Sequence, residues 1–298
     1  RVLTDPQAVR PVLRERVEAA IAALAYRPNL AARRLRQQKA SLIGLIVSDI
    51  RSPFFTDVGR AVEDVAYRHG LRLILCNTDE DPAKEQSYLE LMADGQASGV
   101  IIAPSLEGLR RYSGGQWPFP LVLVDRALPD TPADRVLLDN TAAAQRLTEH
   151  LLDAGYRRIT ALAGARSTTG QARHAGYAQA MQARGLEPQQ CWLQPTVEAG
   201  RAATAELLNQ HPADRPDALL ASNGLLLLGA AQAIQSAGLQ MPHDIGLAGF
   251  DNNDWTTLPA LDVTVIEQPT YEIGRTAAEL LLQRLAEPTR PVRSVVLE

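Results

Sequence analysis

The sequence predicts an α/β protein of two doubly wound parallel-sheet lobes with an all-α arm in front of them. From Leu42 onward, short apolar runs alternate with longer stretches of helical period. The runs are continuously apolar, as strands covered on both faces must be, which puts helices on both sides of parallel sheets. They are too numerous for one small sheet, and 298 residues suit two domains with a short appendage.

The arm comes first. Val12, Leu13, Val17, Ala20, Ile21 and Leu24 repeat near the helical period and predict a helix over 11–24. Tyr26-Arg27-Pro28 ends it, because the residue before proline avoids the α region. Asn29 can cap a second helix over 30–36, which is too short to be stable alone in water. Residues 37–41 read as a linker.

In the body, strands are predicted over 42–47, 72–76, 100–103, 121–124, 136–138, 159–163, 191–193, 218–221, 245–250, 264–266 and 295–297. Helices are predicted over 56–69, 84–94, 171–184, 201–210, 225–236 and 271–285, and Asn140 is expected to cap another that reaches Asp153. Gly70, Gly155, Gly185 and Gly238 stand where helices stop, the usual place of a left-handed C-terminal cap.

Composition excludes several classes. The chain is 46% hydrophobic and 21% charged, which is ordinary for a globular protein and argues against disorder, collagen-like repeats or a coiled coil. No apolar run approaches the roughly 18–20 residues of a membrane span. Cys76 and Cys191 form neither a disulfide framework nor a metal-ligand spacing, so a cytoplasmic location is expected. The chain opens on Arg1-Val2-Leu3 and reads as a protein whose first part lies upstream. Charge is uneven: residues 1–40 hold nine bases and three acids, net +6, while the remainder is net −10. A basic arm on an acidic body points the arm at a polyanion.

In doubly wound sheets ligands sit at the carboxyl ends of strands, so the loops that follow the strands are the candidate site. They lack an acyl-transfer elbow, a phosphate-binding GxxxxGK[ST] and a GxGxxG; Ile50-Arg51-Ser52-Pro53 follows the first strand instead. The five histidines form no metal-ligand cluster. Asp125 and Asp251 have no His or Lys base near them in sequence. The expectation is therefore no catalytic residue, no metal and no cofactor. The loops instead offer hydrogen-bonding groups and a few rings, among them Ser52, Phe54, Phe55, Asp125, Arg126, Ser167, Thr169, Arg173, Asn223, Asp251, Trp255 and Gln268. Such a set suits a small polyhydroxylated ligand. Each residue also has a purely structural reading: Phe54 and Phe55 as core plugs, Asn223 and Asp251 as helix caps, Arg173 as a surface pair.

Residues 10–36, Leu42-Ile-Gly-Leu-Ile-Val-Ser-Asp-Ile-Arg-Ser-Pro-Phe-Phe55, Cys76-Asn-Thr-Asp-Glu-Asp81, Gly176-Tyr177, Ala221-Ser-Asn223, Gly249-Phe-Asp-Asn252 and Ile266-Glu-Gln-Pro269 together resemble the lac repressor/gal repressor (LacI/GalR) family, in the right order over nearly the whole chain. The resemblance implies a helix-turn-helix remnant and hinge helix over 1–40. It also implies a periplasmic-binding-protein-like (type I) effector core over 41–298. One lobe would span about 41–140 with a returning segment near 267–295, and the other about 141–266. It implies that Leu35 wedges into the minor groove while Asn29, Ala32, Arg33, Arg34 and Arg36 support DNA contact. Around the effector it places Asp125, Arg173, Asn223 and Asp251, with Phe54, Ser167, Thr169, Asn252 and Gln268 close by. Ser52, Phe55 and Arg126 complete the candidate set.

The implied function is sequence-specific transcriptional regulation, a repressor of a carbohydrate operon. A homodimer reads a palindromic operator, and a sugar or sugar acid modulates it. Two arginines and the Ser/Thr run at 167–169 favour a sugar acid such as a hexonate. Asn223-Gly224 departs from the family's Asn-Asp pair, and Trp255 is unusual. The rival readings are a periplasmic sugar-binding protein, which would lack the basic arm, and a sugar-metabolising enzyme, which needs a base or phosphate loop the sequence does not show.

Overall fold

The structure, a computed structural model, describes residues 9–23, 42–112, 117–128, 130–165, 167–258 and 261–297. The chain divides into two compact units, Arg1–Ala40 and Ser41–Glu298. In the first, helix α1 spans Pro11–Ala23, with an Arg14–Glu18 ion pair of 3.7 Å one turn apart. The second predicted arm helix, with Asn29, Ala32, Arg33, Arg34, Leu35 and Arg36, lies outside the described residues.

The second unit holds two parallel sheets. The first contains β1 (Leu42–Val47), β2 (Arg72–Asn77), β3 (Gly99–Ile102), β4 (Leu121–Val124), β5 (Asp134–Leu138) and β11 (Ser294–Leu297), in the order β11-β5-β4-β3-β1-β2. The second contains β6 (Ile159–Gly164), β7 (Gln189–Leu193), β8 (Ala218–Ala221), β9 (Gly246–Phe250) and β10 (Thr264–Ile266), in the order β10-β9-β8-β6-β7. The two sheets share one winding: the first strand of each lies between its second and third. All pairings are parallel, and Val47 sits beside Asn77, Ile46 beside Ile102 and Val124 beside Val136, so these strands end along one edge. The second sheet does the same, with Leu162 beside Ala221 and Phe250 beside Ile266.

The helices are α2 (Pro53–Arg68), α3 (Pro82–Asp94), α4 (Leu106–Tyr112), α5 (Asn140–Asp153), α6 (Thr168–Ala183), α7 (Val197–Leu208), α8 (Gly224–Ser236) and α9 (Thr270–Ala286). The chain leaves the first sheet after β5 at Asp139, builds the second lobe, and returns through residues 267–269 into α9, which packs on α2 beside the first sheet. Sequence periodicity locates the strands well and misplaces helix starts. Pro53 and Pro82 are the first residues of α2 and α3, where the missing N–H costs nothing, so each helix begins earlier than predicted. Helix α4 and a 3₁₀ turn at Asp254–Thr257 were not predicted. Asn140 is not a cap: Asp139 caps α5 by accepting from the Ala142 N–H at 3.0 Å, which leaves the Asn140 side chain for another use. The four helix-stopping glycines all have positive φ, from 68° to 103°.

Each lobe has a dry core on both faces of its sheet. Val47, Val58, Val62, Ile101, Val124 and Ile273 pack on one face of the first sheet, and Ile46, Leu89, Met92, Ile102 and Leu123 on the other. In the second lobe Tyr177 is fully buried; its hydroxyl donates to the Ile159 carbonyl at 2.7 Å and accepts from the Gln189 N–H at 2.9 Å, tying α6 to β6 and β7. Helices α5 and α6 meet at Gly176, where a Cβ would lie 2.1 Å from the Thr141 carbonyl oxygen.

Gly176→Ala is expected to force α5 and α6 apart and to destabilise the core by about 1–3 kcal/mol, read as a lower urea midpoint. Burial pushes the Tyr177 phenol up to about 12. Folding therefore favours its protonated form, and this contribution is intact below pH 10 and fades as pH rises from 10 to 12. The stability gap between the native chain and Tyr177→Phe, measured by urea unfolding, is expected to narrow over that window.

Candidate functional site

The carboxyl edges of the two sheets face each other across one cleft, which encloses about 560 Å³ of empty space, part of it open to solvent. Eleven of the thirteen side chains proposed from sequence for the effector line it: Ser52, Phe54, Phe55, Asp125 and Arg126 from the first lobe, Ser167, Thr169, Arg173, Asn223 and Asp251 from the second, and Gln268 from the returning crossing. Ser48, Asp49, Glu80, Gly164, Gly170, Pro195, Ser222 and Leu225 line it as well. Asn252 and Trp255 do not. The Asn252 side chain turns to Glu267 and Thr256, and Trp255 packs on the outer core of the second lobe.

Arg173 stands at the centre, only 4% exposed. Its Nε donates to Asn140 Oδ1 at 2.7 Å, one terminal nitrogen to the Ser222 carbonyl at 2.6 Å, and the other to Gln268 Oε1 at 3.1 Å. Its guanidinium lies 3.8 Å from the centre of the Phe250 ring, a cation–π contact. Asn140 opens the outgoing crossing and Gln268 sits in the return, so one side chain ties both connections between the lobes. Burial pulls the Arg173 guanidinium below its ordinary value, against the pull of Asp251 and Asp125. Of its five N–H groups three are used by these partners, which leaves one on each terminal nitrogen for a ligand. The reading of Arg173 as a surface pair is thus wrong.

Arg126, 6% exposed, is committed differently. Glu80 takes both its terminal nitrogens at 2.7 Å, Asp125 takes its Nε at 3.0 Å, and Ser48 Oγ lies 3.4 Å away. Burial opposes its charge, yet Glu80 and Asp125 override that and hold the guanidinium above its ordinary value. The Asp125 carboxyl is raised by burial, partly offset by Arg126 and Arg173. With Asp125, Glu80 and Asp251 against Arg126 and Arg173, the cleft carries no surplus positive charge. This runs against the expectation of an anionic ligand, which counted the arginines without their partners.

Asp125 and Asp251 occupy the same position in their lobes, the first residue after the fourth strand, and both have positive φ, 66° and 77°. That backbone is uncommon for a residue with a side chain. Asp251 Oδ1 accepts from Gln268 Nε2 at 2.5 Å and its Oδ2 from the Gly224 N–H at 2.9 Å. A Cβ on Gly224 would lie 2.8 Å from Asn253 Nδ2 and 3.0 Å from Asp251 Oδ2, so a side chain there would require those groups to shift.

Two further lining groups, Ser167 and Asn223, double as helix caps. Ser167 Oγ accepts from Gly170 N–H at 3.2 Å and shares a 2.6 Å hydrogen bond with Thr169; Asn223 Oδ1 accepts from Leu226 N–H at 2.9 Å. Phe54 and Phe55 meet edge to face at 4.9 Å and belong to the first lobe's core as well as the cleft wall. These residues thus have structural roles and also line the cleft. Sequence reasoning missed Glu80 and Asn140: the first follows β2 within the quoted Cys76–Asp81 motif, and the second was read as a cap. Among the described residues no cluster of three or more His, Cys, Asp or Glu is arranged to hold a metal, and no helix is long and apolar enough to cross a membrane.

Residues 40–296 match the family model described as periplasmic binding proteins and sugar binding domain of the LacI family. The chain is 32% identical over 286 residues to the ribose operon repressor of Halalkalibacterium halodurans, covering 96% of this chain and 85% of that one. A LacI family transcriptional regulator from Enterococcus faecium with bound ribose superposes with a TM-score of 0.74 at 28% identity, over 86% of this chain and 94% of that chain. The complex of the transcriptional regulator CelR with cellobiose gives 0.76 at 26% identity, over 100% and 91%. With two like-wound parallel lobes, a polar cleft between their carboxyl edges and this extent of similarity, the chain belongs to the LacI family of transcriptional regulators.

Proposed function

We propose that this protein represses a carbohydrate operon from the cytoplasm, and that a sugar bound in the cleft modulates its affinity for operator DNA. The observation that carries the reading is the convergence on one cleft of Arg173, Asp125, Asp251, Asn223 and Gln268 from both lobes and the crossing between them. Arg173 offers two N–H donors and the aspartates offer acceptors, while the Phe54 and Phe55 rings supply an apolar wall. This is how a neutral, hydroxyl-rich ring is gripped. The ribose and cellobiose complexes of the two similar regulators support the same class of ligand.

In this reading residues 1–40 are a helix-turn-helix remnant with a hinge helix, and 41–298 the effector core with lobes near 41–140 plus 267–295 and near 141–266. Leu35 wedges a minor-groove step, with Arg33, Arg34 and Arg36 on phosphates and Asn29 and Ala32 in support. Two copies pair so that a two-fold protein reads a palindromic operator. The edge strand β2 supports this with exposed Ile74 and Leu75, 38% and 42%, alongside Tyr67 at the end of α2 and Leu91 on α3. An unpaired apolar edge favours a partner. Because Arg173 holds both crossings, ligand contact with it biases how the lobes close, and closure is the step coupled to DNA.

The test is an electrophoretic mobility shift with duplex DNA from beside the protein's own gene, with and without sugars. A bound sugar is expected to change operator affinity about 5–150-fold, a coupling of ~1–3 kcal/mol; binding unchanged by every sugar that titrates the protein rejects the reading. Arg173→Lys keeps the charge but cannot serve three acceptors on three segments. It is expected to weaken sugar binding at least about tenfold by calorimetry and to lower the melting temperature by several degrees. Leu75→Lys is expected to shift the protein toward monomer in sedimentation velocity, with sugar affinity retained.

A further inference from the structure

We propose that Glu80 sets the charge selectivity of the cleft: by holding both terminal nitrogens of Arg126 it makes the site select neutral sugars over the corresponding sugar acids. This rests on the reading of the cleft as a sugar site and adds which sugars it admits.

A buried guanidinium at the wall of a polar cleft is the natural partner of a ligand carboxylate, because its planar fork binds two oxygens at once. Here the fork is already taken. Glu80 Oε1 and Oε2 lie 2.7 Å from the two terminal nitrogens, the end-on bidentate geometry a ligand carboxylate would take. Asp125 closes the remaining nitrogen at 3.0 Å. An incoming carboxylate would have to displace Glu80 or enter a cleft lined by four acids, Asp49, Glu80, Asp125 and Asp251, and two arginines. In the first case Glu80 loses its partner, and in the second the carboxylate has only the two remaining Arg173 N–H groups against several acids; both are costly.

The backbone that carries Glu80 is well fixed. Glu80 has a φ of +60° and Asp79 one of +52°, an uncommon backbone held from several directions. Glu80 N–H donates to the Ser48 carbonyl at 3.2 Å, Lys84 Nζ lies 2.6 Å from Asp79 Oδ2, and Asn77 Nδ2 donates to Asp79 Oδ1 at 2.8 Å. The loop after β2 is therefore built to present this carboxylate to Arg126. If the pair served stability alone, its removal would leave the relative affinity for neutral and acidic ligands unchanged; as a selectivity device it must move that ratio.

The experiment is calorimetric titration of the full chain with matched probes: D-ribose and D-ribonate, D-glucose and D-glucuronate, cellobiose and cellobionate. The native chain is expected to bind the neutral member of the pair it recognises at least tenfold tighter. Glu80→Gln keeps the shape, frees the Arg126 fork and is expected to move the acid-to-neutral affinity ratio at least tenfold toward the acid. Adding Arg126→Gln to that variant is expected to return the ratio toward the native value. Glu80→Asp, too short to hold both nitrogens, is expected to shift it the same way by a smaller factor, and serves if Glu80→Gln fails to fold. An unchanged ratio in a folded Glu80 variant, or a native preference for the acid, overturns the proposal while leaving the sugar reading intact. Failure of every probe, neutral and acidic, to bind the native chain overturns the sugar reading and this proposal with it.

Discussion

One buried guanidinium organises the second unit of this protein. Arg173 holds the start of the outgoing crossing through Asn140, the return through Gln268, and the strand end at Ser222, while its flat face rests on Phe250. A buried charge survives only if its hydrogen bonds are met, so these segments cannot drift independently without exposing an unpaired group. The crossings are the places where the lobes could move relative to each other. One side chain that also lines the cleft therefore holds both crossings.

The site uses the same winding twice. Each lobe places an aspartate with positive φ directly after its fourth strand, and each aspartate then turns to a different partner. Asp125 pairs with Arg126, whereas Asp251 reaches Gln268 and the backbone of α8. The result is asymmetric: a wall whose charges are already paired on one side, and on the other an arginine with donors still to offer. Strain of this kind persists only where the surrounding structure over-determines it. The hydrogen bonds around both aspartates do that.

The lining groups also explain why residue-by-residue judgement was difficult. Ser167 and Asn223 cap α6 and α8 with the same oxygen atoms that face the cleft region. Phe54 and Phe55 belong to the core and to the wall. In doubly wound sheets the helix N-termini and the ligand edge coincide, so a capping residue at the carboxyl end of a strand is placed beside any ligand. Choosing between a structural and a functional reading of such a residue sets up a false contrast.

The amino-acid order by itself determined the two-lobed parallel architecture, since continuous apolar strands need cover on both faces and the strand-to-helix rhythm is local. It also determined which loops face the ligand edge, and with them the eleven cleft residues, because direction along a parallel strand is set by the chain. Helix starts were less legible: α2 and α3 begin at Pro53 and Pro82, ahead of the predicted 56 and 84, and Asp139 took the capping role expected of Asn140. Only the tertiary structure decided the pairings. Nothing local ties Glu80 to Arg126, 46 residues on, or Arg173 to Gln268, 95 residues on. The charge a cleft offers is the residue of such long-range neutralisation. Arginines counted along a sequence suggested an anion site, whereas in the folded chain Glu80 and Asp125 are set against one of them.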